Sequence, residues 1–184
     1  MKKYIFSFIF LIWYSATSAQ ETDCKTRYFV SYYGETVTHP GLNLGIEITP
    51  YKSDMYQIVF SANMGAYVHN RNNTSFFVRS QWGQRATFKS GIFIDHFLGF
   101  GYLHQFTHGG DVYEVLPNGE IVENSTKGNP KFMPSIALGV GYDLSKKHGH
   151  SIAFFLRPEL FWKAPFNGYY LTHFAINAGI MLNL

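Results

Sequence analysis

From Arg27 to Leu184, apolar residues take the even-numbered positions and polar or small residues the odd ones, segment after segment. The last segment shows the rule. Tyr170, Thr172, Phe174, Ile176, Ala178, Ile180, Leu182 and Leu184 alternate with Leu171, His173, Ala175, Asn177, Gly179, Met181 and Asn183. Side chains of a strand point to opposite faces with a period of two residues, so each segment has one apolar and one polar face. No segment sustains the spacing of a helix. The chain therefore reads as all-β, and its character depends on which solvent each face meets.

Cutting the pattern at turn-forming residues leaves eight strands: Arg27–Gly34, Gly41–Thr49, Met55–Val68, Thr74–Ala86, Gly91–Phe106, Phe132–Leu144, Ser151–Trp162 and Tyr170–Leu184. The links Pro50–Asp54, His69–Asn73, Thr87–Ser90, Ser145–Gly149 and Pro165–Gly168 hold the Gly, Pro, Asn, Asp and Ser that tight turns need. Strands joined so closely pair antiparallel, as a meander. The second, fourth and sixth links are uniformly short, whereas the others vary and Thr107–Lys131 is much the longest. Outer-membrane barrels have this asymmetry, with an even strand number, short periplasmic turns, longer outside loops and both termini in the periplasm. The expected fold is an eight-stranded antiparallel up-and-down transmembrane β-barrel with short periplasmic turns.

The two faces separate this barrel from a water-soluble one. The even face carries Leu42, Leu44, Ile46 and Ile48, then Ile58, Phe60 and Met64, and later Ile136, Leu138, Val140, Phe154, Leu156 and Leu160. In a soluble barrel or sandwich those residues would fill the core. The odd face, however, is rich in Gly45, Ser61, Gly65, Gly83, Gly99, Gly101, Ala137, Gly139, Gly141 and Gly179, which suit the narrow inside of an eight-stranded barrel. Large outward residues suit lipid, and closure leaves no unpaired backbone edge. Tyr28, Tyr51, Tyr56, Phe88, Tyr142, Trp162 and Tyr170 sit toward strand ends, as interfacial girdles do. Three residues resist the pattern. Pro134 and Pro158 interrupt strands and are expected toward the outer strand ends, and parity turns His96 toward lipid.

The N-terminus is set apart. Lys2 and Lys3, the apolar run Tyr4–Tyr14 and the small residues Ser15–Ala19 read as a secretory signal peptide over residues 1–19. Residues 20–26 would form a periplasmic lead and 27–184 the barrel domain. Cys24, the lone cysteine, follows Glu21-Thr22-Asp23 and not a small-residue lipobox, so it reads as an unpaired thiol. A formal charge of +3, scattered along the chain, does not point to a nucleic-acid partner, and none is expected.

The inward odd positions include Arg27, Arg79, Arg85 and Arg157 against Glu47, Asp95, Asp143 and Glu159, a balanced set with Gln57 and His173 among its polar neighbours. Buried charges must be paired and hydrogen-bonded. Folding about the expected turns sets Arg27 opposite Glu47, Glu47 opposite Gln57, and Glu159 opposite His173. Such a network plugs the lumen; the alternative is a narrow gated channel.

Chemistry beyond this is faint. His148-Gly-His150, His104 and His108 lack the convergent third and fourth ligands of a metal site, and no cofactor motif is present. The long loop holds Asp111, Tyr113, Glu114, Glu120 and Glu123 around a Pro117-Asn118-Gly119 turn. Its segments Val112–Leu116 and Glu120–Val122 could pair as a small hairpin, a candidate recognition element on a rigid scaffold.

The chain from Arg27 onward resembles the OmpA/OmpX-like class of small eight-stranded outer-membrane barrels. Its closing Phe174-x-Ile176-x-Ala178-x-Ile180-x-Leu182-x-Leu184 resembles the terminal strand such proteins offer to the barrel-assembly machinery, with Leu in place of the commoner Phe. Cleavage before Gln20 resembles that of exported Bacteroidota proteins. His173-Phe174-Ala175-Ile176-Asn177-Ala178-Gly179 is similar to the catalytic strand of the lipid A deacylases, but Ala175 stands where that family places its serine nucleophile. The resemblance implies an outer-membrane protein surrounded by lipid and lipopolysaccharide. The expected function is non-enzymatic: envelope integrity or surface recognition, alone or as an accessory subunit beside another outer-membrane protein. The narrow channel and a lipid-modifying enzyme are the alternatives.

Overall fold

The computed structural model describes residues 25–70, 72–107, 113–115, 118–123, 128–145, 151–166 and 169–183. The strands are β1 (Lys25–Glu35), β2 (Gly41–Lys52), β3 (Tyr56–His69), β4 (Asn73–Thr87), β5 (Ile92–Thr107), β6 (Tyr113–Val115), β7 (Ile121–Glu123), β8 (Asn129–Phe132), β9 (Ser135–Asp143), β10 (Ile152–Phe166) and β11 (Tyr169–Asn183). β8 and β9 are two halves of one stave, since both pair with β5 on one side and β10 on the other. Sequential antiparallel pairing then runs through eight staves, and β1 pairs with β11 from Arg27↔Asn183 to Glu35↔Ala175. That last ladder closes the ring, so no stave presents an unpaired edge.

The alternation resolves into an inside and an outside. Outward Trp82, Leu98 and Leu138 are 59%, 59% and 62% exposed, while inward Glu47 and Arg85 are 0%. Inward rings are accommodated by glycine directly across the ladder: Phe29↔Gly45, Phe77↔Gly65, Phe97↔Gly83, Phe93↔Gly141 and Phe155↔Gly179. A Cβ placed on Gly45 would lie 2.6 Å from two carbons of the Phe29 ring. One large and one absent side chain per pair lets eight staves close around a filled interior.

The exceptions have local causes. Proline lacks an N–H, and the sixth stave breaks at Met133-Pro134. Met133 N still donates to Gly101 O at 2.8 Å, and Pro134 O accepts from Trp162 N at 3.0 Å. Pro158 lies at the middle of β10 and not toward its outer end. Its ladder to β11 is intact, whereas the β9 ladder skips from Leu156↔Val140 to Glu159↔Ala137. His96 points outward and is exposed. β1 begins two residues before the expected Arg27, and β10 runs on past Trp162 to Phe166.

One end of the ring carries the turns after β2, β4 and β9, together with the start of β1 and the end of β11; it is called the turn end here. The opposite, loop end carries the connection from β5 to β8. Within that connection β6 and β7 pair as a separate hairpin, Tyr113↔Glu123 to Val115↔Ile121. At its tip Gly119 has φ +84°, and Asn118 Oδ1 accepts the Glu120 amide at 3.0 Å. The signal peptide, Cys24, His108, His148 and His150 lie outside the described residues.

Candidate functional site

Inward odd-numbered side chains stack in levels along the barrel axis. Near the turn end, Arg27 on β1 donates through Nη2 to Asp143 Oδ2 on β9 at 2.8 Å. Asp143 Oδ1 also accepts from the Ser145 amide and hydroxyl at 2.9 and 2.6 Å. One level in, Arg85 on β4 and Arg157 on β10 share Glu47 on β2 and Asp95 on β5. Arg85 Nη2 stands 2.7 Å from Glu47 Oε2 and 2.9 Å from Asp95 Oδ2. Arg157 Nη2 stands 2.8 Å from Glu47 Oε1 and 2.9 Å from the same Asp95 oxygen. Two cations and two anions thus close a ring whose charges cancel. Desolvated charges in this geometry hold each other in place, and removing one exposes the rest to an unfavourable interior.

At mid-lumen Arg79 pairs with Glu159 and donates through Nε to Asn63 Oδ1 at 2.6 Å. Glu159 Oε2 accepts from Asn177 Nδ2 at 2.9 Å. The guanidiniums also cover rings: Arg85 lies 4.7 Å from the Phe93 centroid, Arg79 4.9 Å from Phe77, and Arg157 4.6 and 4.5 Å from Phe97 and Phe155. Each such contact adds ~2 kcal/mol when desolvated. A cavity of about 10 Å³ lies at this level among Asn43, Arg79, Arg157, Glu159 and Asn177, the room a single water needs. Toward the loop end, Tyr33, Tyr67, Phe77, Leu103, Met133 and Phe161 pack as one buried layer across the lumen.

Beyond that layer the interior widens into a cup of about 310 Å³. Glu35, the last residue of β1, is 4% exposed and pairs with His39 through Oε2. The same oxygen accepts from Thr36 Oγ1 at 2.8 Å, and His173 Nδ1 stands 2.6 Å from Oε1. Lys163 Nζ is 3.6 Å from Oε1 and rests 5.3 Å from the Tyr67 ring centroid. The His39 and His69 rings are 3.9 Å apart.

The structure brings Arg27, Glu47, Arg79, Arg85, Asp95, Asp143, Arg157 and Glu159 into this network, but two expected pairings differ. Arg27 does lie opposite Glu47. Glu47, however, faces Ser61, and Gln57 faces Lys52 and donates to Thr87 Oγ1 at 3.4 Å. β2 continues through Pro50 to Lys52 with a bulge between Ile48 and Tyr51, so the hairpin folds later than the turn residues suggest. Glu159 faces Ala175, and His173 faces Phe161 and stacks on it. The hairpin after β10 also folds later, which carries His173 out to Glu35.

Glu35, His39, Lys131 and Lys163 escaped the sequence reading. Odd numbering marks all four as inward, but the strand limits drawn at Gly34, Phe132 and Trp162 cut them off. In the candidate recognition loop, Tyr113 and Glu114 lie on β6, Glu123 on β7, and Glu120 exposed at the hairpin tip, while Asp111 lies outside the described residues. Outward His104 takes a 2.7 Å contact from the Tyr102 hydroxyl. Among the described residues no group of three or more His, Cys, Asp or Glu is arranged to hold a metal ion.

No family model matches the chain, and no curated protein matches it. Solved structures do. The crystal structure of Neisserial surface protein A is similar over 89% of this chain and 98% of its own, with a TM-score of 0.53 and 9% identity. Ail of Yersinia pestis matches over 88% of this chain and 100% of its own, with a TM-score of 0.49 and 10% identity. The N-terminal β-barrel domain of Pseudomonas aeruginosa OprF matches over 87% and 97%, with a TM-score of 0.45 and 14% identity. The fold of this chain is that of the small eight-stranded membrane barrels.

Proposed function

We propose that the chain is a non-enzymatic outer-membrane barrel, closed to solute flow, with its loop end turned outside. Its role is envelope integrity or recognition through the outer loops, alone or as an accessory subunit of a larger outer-membrane complex. One observation carries this reading: buried ion pairs and rings cross the lumen at mid-height, and the cavity among Arg79, Arg157, Glu159 and Asn177 there holds about 10 Å³. Opening a path there means separating desolvated charge pairs, each costing ~3–5 kcal/mol when one partner is lost. The exposed apolar girth supports lipid and lipopolysaccharide as its surroundings, and the closing strand supports delivery by the barrel-assembly machinery. Against the deacylase chemistry, Ala175 occupies the nucleophile position of that pattern.

Single-channel recording in planar bilayers tests the closed lumen. The purified protein is expected to insert without conducting. Stable, reproducible openings of one size would overturn the proposal in favour of a narrow channel.

A further inference from the structure

One place on the outer wall breaks the apolar rule. Gln84 on β4 and His96 on β5 are direct cross-strand partners, and both are exposed. Ile58 on β3 lies beside Gln84, and Leu138 on β9 lies beside His96. Along their own strands the next outward residues are Trp82, Ala86, Ile94 and Leu98. The polar pair therefore sits in an apolar collar and not at a rim. His96 is four residues on from Ile92, the start of β5, which pairs with the girdle residue Tyr142. At ~3.4 Å per residue and a strand tilt of ~40°, that is about 10 Å from the girdle, within an apolar band ~25 Å tall.

Acyl chains offer neither donors nor acceptors, so an amide and an imidazole facing them are costly. Among the described residues no hydrogen bond or ion pair engages either side chain. The amide brings two N–H donors and a carbonyl acceptor, and a neutral imidazole brings one donor and one acceptor. A bond between the two would use one of each and still leave donors and an acceptor over. A second copy of the chain meets them with matched chemistry. Both copies keep their loop ends on the same side, so the two-fold axis relating them runs along the membrane normal. With that axis between β4 and β5, Gln84 of each copy faces His96 of the other. Cross-strand neighbours stand within ~5.5 Å, so both bonds fall inside one contact.

We propose that the chain forms a two-fold dimer in the membrane through its β4–β5 face, joined by two reciprocal Gln84–His96 hydrogen bonds within the collar of Trp82, Ile94, Leu98 and Leu138. This rests on the membrane-barrel reading, which makes the even face lipid-facing, and goes beyond it by naming the partner. Association depends on protein density, so in excess lipid the copies separate and Trp82, beside the pair on β4, faces acyl chains.

Thiol cross-linking in isolated outer membranes tests it, in full-length Cys24→Ser protein given one new cysteine. Lys89→Cys lies exposed on the turn between β4 and β5, next to the axis. Lys25→Cys, exposed at the start of β1 on the opposite side of the ring, is the control. A short bis-maleimide should link the Lys89→Cys protein into pairs and nothing larger, at several times the yield from Lys25→Cys. Adding Gln84→Leu and His96→Leu together should cut that yield about tenfold, the loss of two hydrogen bonds between membrane-embedded segments. Both changes only extend the apolar wall, so the variant should keep the compact, heat-sensitive gel band of a folded barrel. If it does not, the two single variants decide, each with a smaller loss of yield. Lys89→Cys protein absent from outer membranes would overturn the barrel reading and the pairing with it, whereas protein that assembles there without linking would overturn the pairing alone. Equal linking at both positions, or unchanged yield in assembled leucine variants, would also overturn it and leave the polar pair to a different protein or to lipid.

Discussion

Removing the charge of Glu47 should unbalance the level of the lumen that holds Arg85 and Arg157. Glu47 is 0% exposed, accepts from Arg85 Nη2 on Oε2 at 2.7 Å and ion-pairs with Arg157 through Oε1 at 2.8 Å. In Glu47→Gln both guanidiniums must share Asp95, and one oxygen acceptor becomes an amide donor facing a cation. One charge-assisted hydrogen bond worth ~1.5–3 kcal/mol and one ion pair are weakened, and an uncompensated buried charge costs ~3–5 kcal/mol. These overlap, so the expected loss is about 3 kcal/mol, large beside the ~5–15 kcal/mol that holds a domain folded. Arg157→Met should cost a similar amount, because it strands the negative side of the same ring. The double variant leaves Arg85 on Asp95, with Nε and Nη2 at 3.1 and 2.9 Å, and restores charge balance. It should therefore lose less than the sum of the singles, by at least ~1 kcal/mol. Urea unfolding in lipid vesicles, followed by tryptophan fluorescence, supplies all four corners of the cycle. Additive losses, or a Glu47→Gln loss under ~1 kcal/mol, would refute a mutually dependent ion ring.

Two further outcomes follow from packing. Gly45→Ala puts a methyl 2.6 Å from the Phe29 ring, so it should lower stability by ~1–3 kcal/mol, and adding Phe29→Leu should recover part of that loss in the same unfolding assay. Deleting Asp111–Lys127 removes the β6–β7 hairpin, which among the described residues forms a sheet of its own, so the variant should still give the compact gel band of an assembled barrel; loss of assembly would make the loop structural.

Much of this architecture was legible because a narrow barrel offers each side chain only two environments. Parity alone assigns Arg85 inward and Trp82 outward, and it places Phe29 inside where Gly45 makes room. Register was less legible. It depends on where each hairpin folds, and the bulge after Ile48 and the run of β10 to Phe166 are settled by backbone hydrogen bonding, not by turn composition. Partners across the lumen were least legible. Arg79 meets Glu159, 80 positions away, and Arg27 meets Asp143 at 116, contacts that no hairpin rule reaches. The cup was missed for another reason: Glu35, Lys131 and Lys163 keep inward parity where the flanking residues look like turns.

Trp82 tests the central claim, that the even face meets lipid, most directly. It points outward from mid-β4 and is 59% exposed. In Trp162→Phe protein made without residues 1–19, Trp82 is the sole tryptophan. Reconstituted in vesicles, its fluorescence should be quenched by lipids with brominated acyl chains and left unchanged by aqueous iodide. Quenching by iodide with no response to brominated chains would put that face in water and contradict the membrane barrel.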